Sequence, residues 1–150
     1  MVYQVQNTTE KKIFLGEILI QRKLITQRQL DEALELQKKE SLPVGEILLQ
    51  QGHIQERDIV VALIIQCHLP YIAVEKYIIH AQVLRLIPKD IARKLLVIPI
   101  ERVGDVLSVV MANPLDNDAK QQIEQLTGCQ VSTFIATKTE VQNAIQHCYI

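Results

Sequence analysis

The chain has no tryptophan, two phenylalanines and four tyrosines among 150 residues, so Ile, Leu and Val must fill whatever core it builds. It also lacks an excess of either charge, with 16 basic and 17 acidic residues and a net charge of −1. That balance gives no electrostatic footprint for duplex nucleic acid or for an anionic membrane surface. Local basic pairs (Lys11 with Lys12, Arg22 with Lys23) read as solvated surface. Cysteine is scarce and odd in number: Cys67, Cys129 and Cys148, with no C-x-x-C spacing. Free thiols in a reducing cytoplasm fit that count better than a disulfide framework or a zinc site. No apolar run approaches the ~20 residues that cross a bilayer, and no signal peptide opens the chain. The expectation is a soluble cytoplasmic protein without direct membrane insertion.

Catalytic motifs are missing as well. The five glycines (16, 45, 52, 104 and 128) are too scattered to cradle a triphosphate, and no G-x-x-x-x-G-K-[ST] occurs. The four histidines (53, 68, 80 and 147) have no helical-spacing partners for a metal. Cys67 and His68 are adjacent and point in different directions at a helix end. Ser108 has no G-x-S-x-G context. Asp105, Asp116 and Asp118 fall where turns and helix caps account for them. An enzyme is not expected, and neither a cofactor nor a metal is implied.

What the chain does have is a duplication. Phe14–Gln37 (FLGEILIQRKLITQRQLDEALELQ) and Pro43–Gln66 (PVGEILLQQGHIQERDIVVALIIQ) agree without a gap at 10 of 24 positions, with a period of 29 residues. Apolar agreement is expected of any two amphipathic helices. The repeated Gly16/Gly45 and Gln37/Gln66 are not, so the repeat can build a site with approximate two-fold symmetry.

Each copy reads as a short helix followed by a long one. Leu15, Ile18 and Leu19 have the i, i+3, i+4 spacing of a helix. Thr26 and Gln29 form a capping box for the next helix. Pro43 suits the first turn of a third helix, and Gly52 suits its left-handed end. A fourth helix runs from about Gln55 to Cys67, nearly all apolar. Residues 1–12 are expected to be a flexible arm, 13–69 a helical lobe of tandem repeats, and 70–150 an α+β lobe.

In that second lobe Tyr71 to Val74 predicts a brief strand and Pro88 opens a short helix. The alternation around Arg102–Asp105 predicts a hairpin with Gly104 in its turn. Asn113–Asp116 starts a helix that Gly128 ends, Gln130 to Ala136 is a strand, and a capping box at Thr137/Glu140 launches the last helix. The fold class expected is α+β: tandem helix–helix repeats and a small α/β sandwich.

Gly16 and Gly45, read at helix starts, let a ligand approach free N–H groups. Gln37 and Gln66 end the long helices on the face of Leu30/Leu34 and Ile59/Leu63. A glutamine amide donates and accepts at once, so it can pair with a base edge over that apolar bed. The arrangement, occurring twice, suits a ligand with two bases and two phosphates. Two helical hairpins packing on each other would give the same spacing, with the glutamines merely solvated.

The 24–5–24 spacing resembles the MshEN domain, the N-terminal module of type II secretion and type IV pilus assembly ATPases of the GspE/PilB kind. Its motif has the form RLGxxLVxxGLLxxxxLxxxLxxQ, given twice across a five-residue spacer, here Lys38–Leu42. Residues 70–150 are similar to the rest of that region through LPYIAV, LIPKDIARKLLVIPIERVGDVLSVVMANPLD and LTGCQVSTFIATKTEVQNAIQHCY. The resemblance implies a non-catalytic regulatory domain that binds cyclic di-GMP. It implies contacts from Leu15 and Val44, an apolar bed from Leu30, Leu34, Ile59 and Leu63, polar contacts from Gln37 and Gln66, and close approach at Gly16 and Gly45.

Phe14 and Pro43 stand where the motif has Arg, which removes two guanidinium groups able to pair with phosphate. Lys23 replaces a motif Gly, and Asn113 replaces the Asp of a "DP" turn that touches ligand in some members. An alternative follows from these departures: a degenerate interaction domain that docks on an ATPase body or an inner-membrane platform protein without nucleotide.

Overall fold

The computed structural model describes the backbone of residues 8–149 and the side chains of residues 15–149. It divides into two compact units, residues 1–66 and 67–150. The first seven residues of the expected arm lie outside the described residues. The remainder differs from expectation: helix α1 spans Thr8–Gln21, so Thr8 to Lys12 are its first turns. Helices α1 and α2 are therefore of equal length, although only residues 14–21 of α1 fall within the first copy. The second keeps the expected inequality.

In the first unit α1 is followed by α2 (Gln27–Glu40), α3 (Val44–Gln50) and α4 (Glu56–Cys67). The α2 start is set by Thr26, whose Oγ1 accepts from the Gln29 N–H at 3.2 Å while Gln29 Oε1 accepts from the Thr26 N–H at 2.9 Å. This reciprocal cap satisfies two donors that no helical carbonyl reaches. The second copy keeps half of the device: Asp58 Oδ2 accepts from the Gln55 N–H at 2.8 Å.

The ends of α1 and α3 repeat atom for atom. Lys23 N–H donates to Ile20 O and Leu24 N–H to Leu19 O; 29 residues on, Gly52 N–H donates to Leu49 O and His53 N–H to Leu48 O. Such an end needs a left-handed residue, and Lys23 adopts φ 63° where Gly52 adopts φ 78°. Beneath these turns the apolar rows close a core in which Leu19, Ile47 and Leu48 are fully buried. Each such side chain contributes about 1.5–3 kcal/mol of burial.

The second unit begins differently from expectation. Instead of a strand over Tyr71–Val74, Tyr71 alone bridges to Ile135. Pro70 O accepts from the Ile135 N–H and Ile135 O from the Ile72 N–H, after which the chain turns into a 3₁₀ turn, Val74–Lys76. Burial of Val74 pulls the backbone off the sheet edge before a second residue can pair. Two short helices follow, α5 (Ala81–Leu84) and α6 (Lys89–Leu95), the latter after Pro88.

Strands β1 (Val97–Val103) and β2 (Val106–Met111) form the expected antiparallel hairpin, with Gly104 at φ 58° in its two-residue turn. Helix α7 (Asn117–Thr127) ends at left-handed Gly128 and leads into β3 (Gln130–Ile135), which pairs parallel to β2. The sheet order is β1-β2-β3. The central strand needs cover on both faces. Leu107, Val109, Val110 and Met111 are all inaccessible, in one cluster with Ile123 of α7 and Val141 and Ile145 of α8 (Lys138–Cys148). The α8 capping box of Thr137 and Glu140 is present, and Glu140 Oε2 also accepts from Tyr71 Oη–H at 2.6 Å. The architecture is α+β, as the sequence implies.

Candidate functional site

The two repeated glycines face the long helix of their own copy, each meeting the residue 14 positions on. A Cβ at Gly16 would lie 2.6 and 2.7 Å from the two methyl carbons of Leu30. A Cβ at Gly45 would lie 3.4 Å from Ile59 Cδ1 and 3.7 Å from Leu15 Cδ2. The duplication is thus a packing rule, in which a glycine lets two helices touch where Leu30 or Ile59 crosses. The role expected for Gly16 at a helix start is corrected, because Gly16 lies in the middle of α1, where N–H groups are spent on the helix ladder. Gly45 is the second residue of α3, a helix of seven residues.

The residues expected to touch ligand divide by exposure. Leu15, Leu30, Val44 and Leu63 are buried at 5%, 3%, 1% and 3% exposure, and so belong to the core of the repeats. Leu34, Gln37, Ile59 and Gln66 are half-buried, and Pro43 is exposed at the N-cap of α3. Of the four residues expected to form the apolar bed, the structure thus keeps Leu34 of the first copy and Ile59 of the second partly open. The backbone of Phe14 lies in α1, and its side chain is outside the described ones. Asn113 is exposed in the second unit, and its Oδ1 accepts from the Leu115 N–H at 3.2 Å. That bond forms the turn ahead of α7.

Gln37 does more than end a helix. Its carbonyl accepts from the Ser41 N–H at 3.1 Å, and its Nε2 donates to Leu42 O at 3.1 Å. Both bonds hold the connector between the copies, with Ser41 left-handed at φ 55°. The sequence gives little sign of this clasp beyond a serine and a leucine after a charged run. Nor does it announce the contact between Gln29 Nε2 and His53 Nδ1, 3.3 Å apart. Gln29 is legible as a cap, but nothing in the spacing marks His53 as its partner.

Two ion pairs lie on the surface of α2. Arg28 pairs with Glu32 and Lys38 with Glu35, both at 3.2 Å and both well exposed, where such pairs contribute little. Lys23 is exposed on its left-handed turn. Among the described residues no group of three or more His, Cys, Asp or Glu side chains can hold a metal ion. Among them, no helix is long and apolar enough to cross a membrane. The arrangement offers two amides, Gln37 and Gln66, with Leu34 and Ile59 partly open on the same helices.

Comparison with known proteins agrees with this architecture. The family model of the MshEN domain matches residues 67–150. The type IV pilus assembly ATPase PilB of Myxococcus xanthus is 33% identical over 135 residues, 90% of this chain and 24% of that protein. PilB of Thermus thermophilus is 28% identical over 90% of this chain. Bacteriophage adsorption protein B of Escherichia coli is 26% identical over 90% of it. The chain thus spans a quarter or less of the length of these relatives. A solved structure of MshE with cdg (cyclic di-GMP) superposes with a TM-score of 0.77 at 25% identity, covering 89% of this chain and 96% of that one. The N-terminal domain of XpsE superposes with a TM-score of 0.80 at 16% identity over 94% of this chain and 96% of that one.

Proposed function

The chain belongs to the MshEN domain family, and from that premise we propose that it is a non-catalytic, cytoplasmic regulatory module whose tandem repeats bind cyclic di-GMP. One observation carries the proposal. The MshE structure with cdg resembles 89% of this chain, an extent too long to omit either 24-residue repeat. Gln37 and Gln66 supply the amides that read the bases, and Leu34 and Ile59 supply the apolar surface still open beside them. The contact set proposed also includes Phe14, Leu15, Gly16, Leu30, Pro43, Val44, Gly45, Leu63 and Asn113.

The absence of both motif arginines sets the expected strength. Losing one charge-assisted contact costs about 1.5–3 kcal/mol, so two losses weaken binding by roughly a hundredfold or more. The output proposed is a change in how the module docks on a secretion or pilus ATPase body or on an inner-membrane platform protein.

A second reading has its own support. Four of the residues proposed as ligand surface are already core, and Pro43 has no charge to offer. The repeat then persists as packing, and the module is an interaction domain without nucleotide. Isothermal titration calorimetry with cyclic di-GMP separates the two. The first reading expects saturable binding in the micromolar range, lost in the double variant Gln37→Ala/Gln66→Ala. Absence of heat and of competition at several hundred micromolar ligand would leave the interaction domain standing.

A further inference from the structure

We propose that the connector between the two copies is part of the nucleotide site, with Ser41 as a positioning residue and the Leu42 carbonyl as the group that orients Gln37. This presupposes that the repeats bind cyclic di-GMP. The clasp has two strands: Gln37 O accepts from the Ser41 N–H, and Gln37 Nε2 donates to Leu42 O, each at 3.1 Å. Only the left-handed turn at Ser41, φ 55°, folds Leu42 back onto the side chain that precedes it by five residues.

The donor inventory makes the clasp compatible with ligand. A glutamine amide has two N–H donors and one acceptor oxygen. Leu42 takes one donor, leaving one donor and the oxygen, which is what a purine edge carrying a carbonyl and a ring N–H requires. Gln37 is also half-buried, so its amide is partly shielded from competing water. A free glutamine would have to be ordered on binding. One already held on Leu42 would not, and that difference is worth about fivefold to tenfold in affinity. The same connector delivers Pro43 and Val44 to the start of α3, so ordering it at Gln37 also orders the entry to the second copy.

The connector is tested with two substitutions at a residue that touches no proposed ligand atom. Ser41→Pro forbids positive φ and opens the clasp, whereas Ser41→Gly keeps the left-handed turn. Titration with cyclic di-GMP, on variants whose far-ultraviolet circular dichroism matches the parent, is expected to show Ser41→Pro about fivefold to tenfold weaker and Ser41→Gly unchanged. Hydrogen exchange on the unmodified chain gives a second readout that a purely structural serine would not move. Saturating cyclic di-GMP should slow exchange of the Ser41 amide. Equal affinity of Ser41→Pro and parent, or unchanged or faster exchange at Ser41 on binding, would overturn the role assigned to the connector. If the unmodified chain takes up no cyclic di-GMP at all, the functional reading falls first and the connector's role falls with it.

Discussion

Adding one methyl group at each repeated glycine should have opposite effects, although the two positions are equivalent in sequence. At Gly16 the new carbon would lie 2.6 and 2.7 Å from the Leu30 methyls and 3.2 Å from Leu30 Cγ. Unstrained carbon contacts are about 3.5–4.0 Å. Leu30 is 3% exposed, so it has little room to swing away. Overpacking of this kind costs about 1–3 kcal/mol. Replacing a helical glycine returns up to about 1 kcal/mol of backbone propensity, so Gly16→Ala should be destabilising by about 0–3 kcal/mol. At Gly45 the nearest atom is Ile59 Cδ1 at 3.4 Å, the edge of ordinary contact, and Ile59 is half-buried and able to yield. Gly45→Ala should therefore be neutral or stabilising by up to about 1 kcal/mol. Urea denaturation followed by circular dichroism at 222 nm measures both. The order of midpoints expected is Gly45→Ala at or above parent, and Gly16→Ala below Gly45→Ala. If Gly16→Ala is as stable as Gly45→Ala, the close crossing of α1 and Leu30 is not what holds the glycine. In the ligand reading Gly45→Ala is also informative, since reduced cyclic di-GMP affinity without loss of stability would assign that glycine to ligand approach.

The same denaturation assay checks the helix ends: Lys23→Gly relieves a left-handed lysine and should raise stability by about 0.5–1 kcal/mol, whereas Gly52→Ala should lower it by about 1 kcal/mol. Alkaline titration checks the tie between Tyr71 and Glu140. The hydrogen bond to Glu140, with smaller contributions from burial and the charge of Glu140, holds the Tyr71 phenol up at about 12 against an ordinary 10. Because the folded form keeps that proton longer than the unfolded chain, stability falls as pH rises from about 10 to about 12. Tyr71→Phe should flatten part of that slope, the remainder coming from Tyr149 and Cys148, which burial also pushes up. An unchanged slope in Tyr71→Phe would remove the bond from the account.

Short-range chemistry made much of the fold legible. The capping boxes at Thr26 and Thr137, the turn glycine at 104 and the helix end at Gly128 each depend on a few adjacent residues, and each is in place. The strand expected over Tyr71–Val74 depended on a partner elsewhere in the chain, and Ile135 offers pairing to one residue only. The early start of α1 is not legible, because TTEKK is polar and carries no apolar period, although nothing in it opposes a helix. The site was legible in its spacing and not in its packing. Periodicity puts Leu30, Leu34, Ile59 and Leu63 in one row along each of α2 and α4. It does not say which of them the neighbouring helix covers. Nor does a lysine at the place of a motif glycine announce that the left-handed turn survives, as Lys23 does.

The duplication therefore works at two levels. The backbone rule is shared by both copies: a glycine against the residue 14 positions on, a left-handed turn at 23 and 52, a cap before the long helix. The caps and left-handed turns are local and contribute about 1 kcal/mol each, whereas the glycine is sterically required only in the first copy. The chemical rule is not shared in the same way, because Phe14 and Pro43 differ from each other and from a cation, and the residue of the expected apolar bed left open is Leu34 in one copy and Ile59 in the other. A chain can give up ligand charge at both positions and keep its fold, since the helix bond made at position 43, Ile47 N–H to the Pro43 carbonyl, is a backbone bond that does not depend on a charged side chain. That separation is why the proposed ligand binding is argued from Gln37, Gln66 and the connector rather than from the repeat itself.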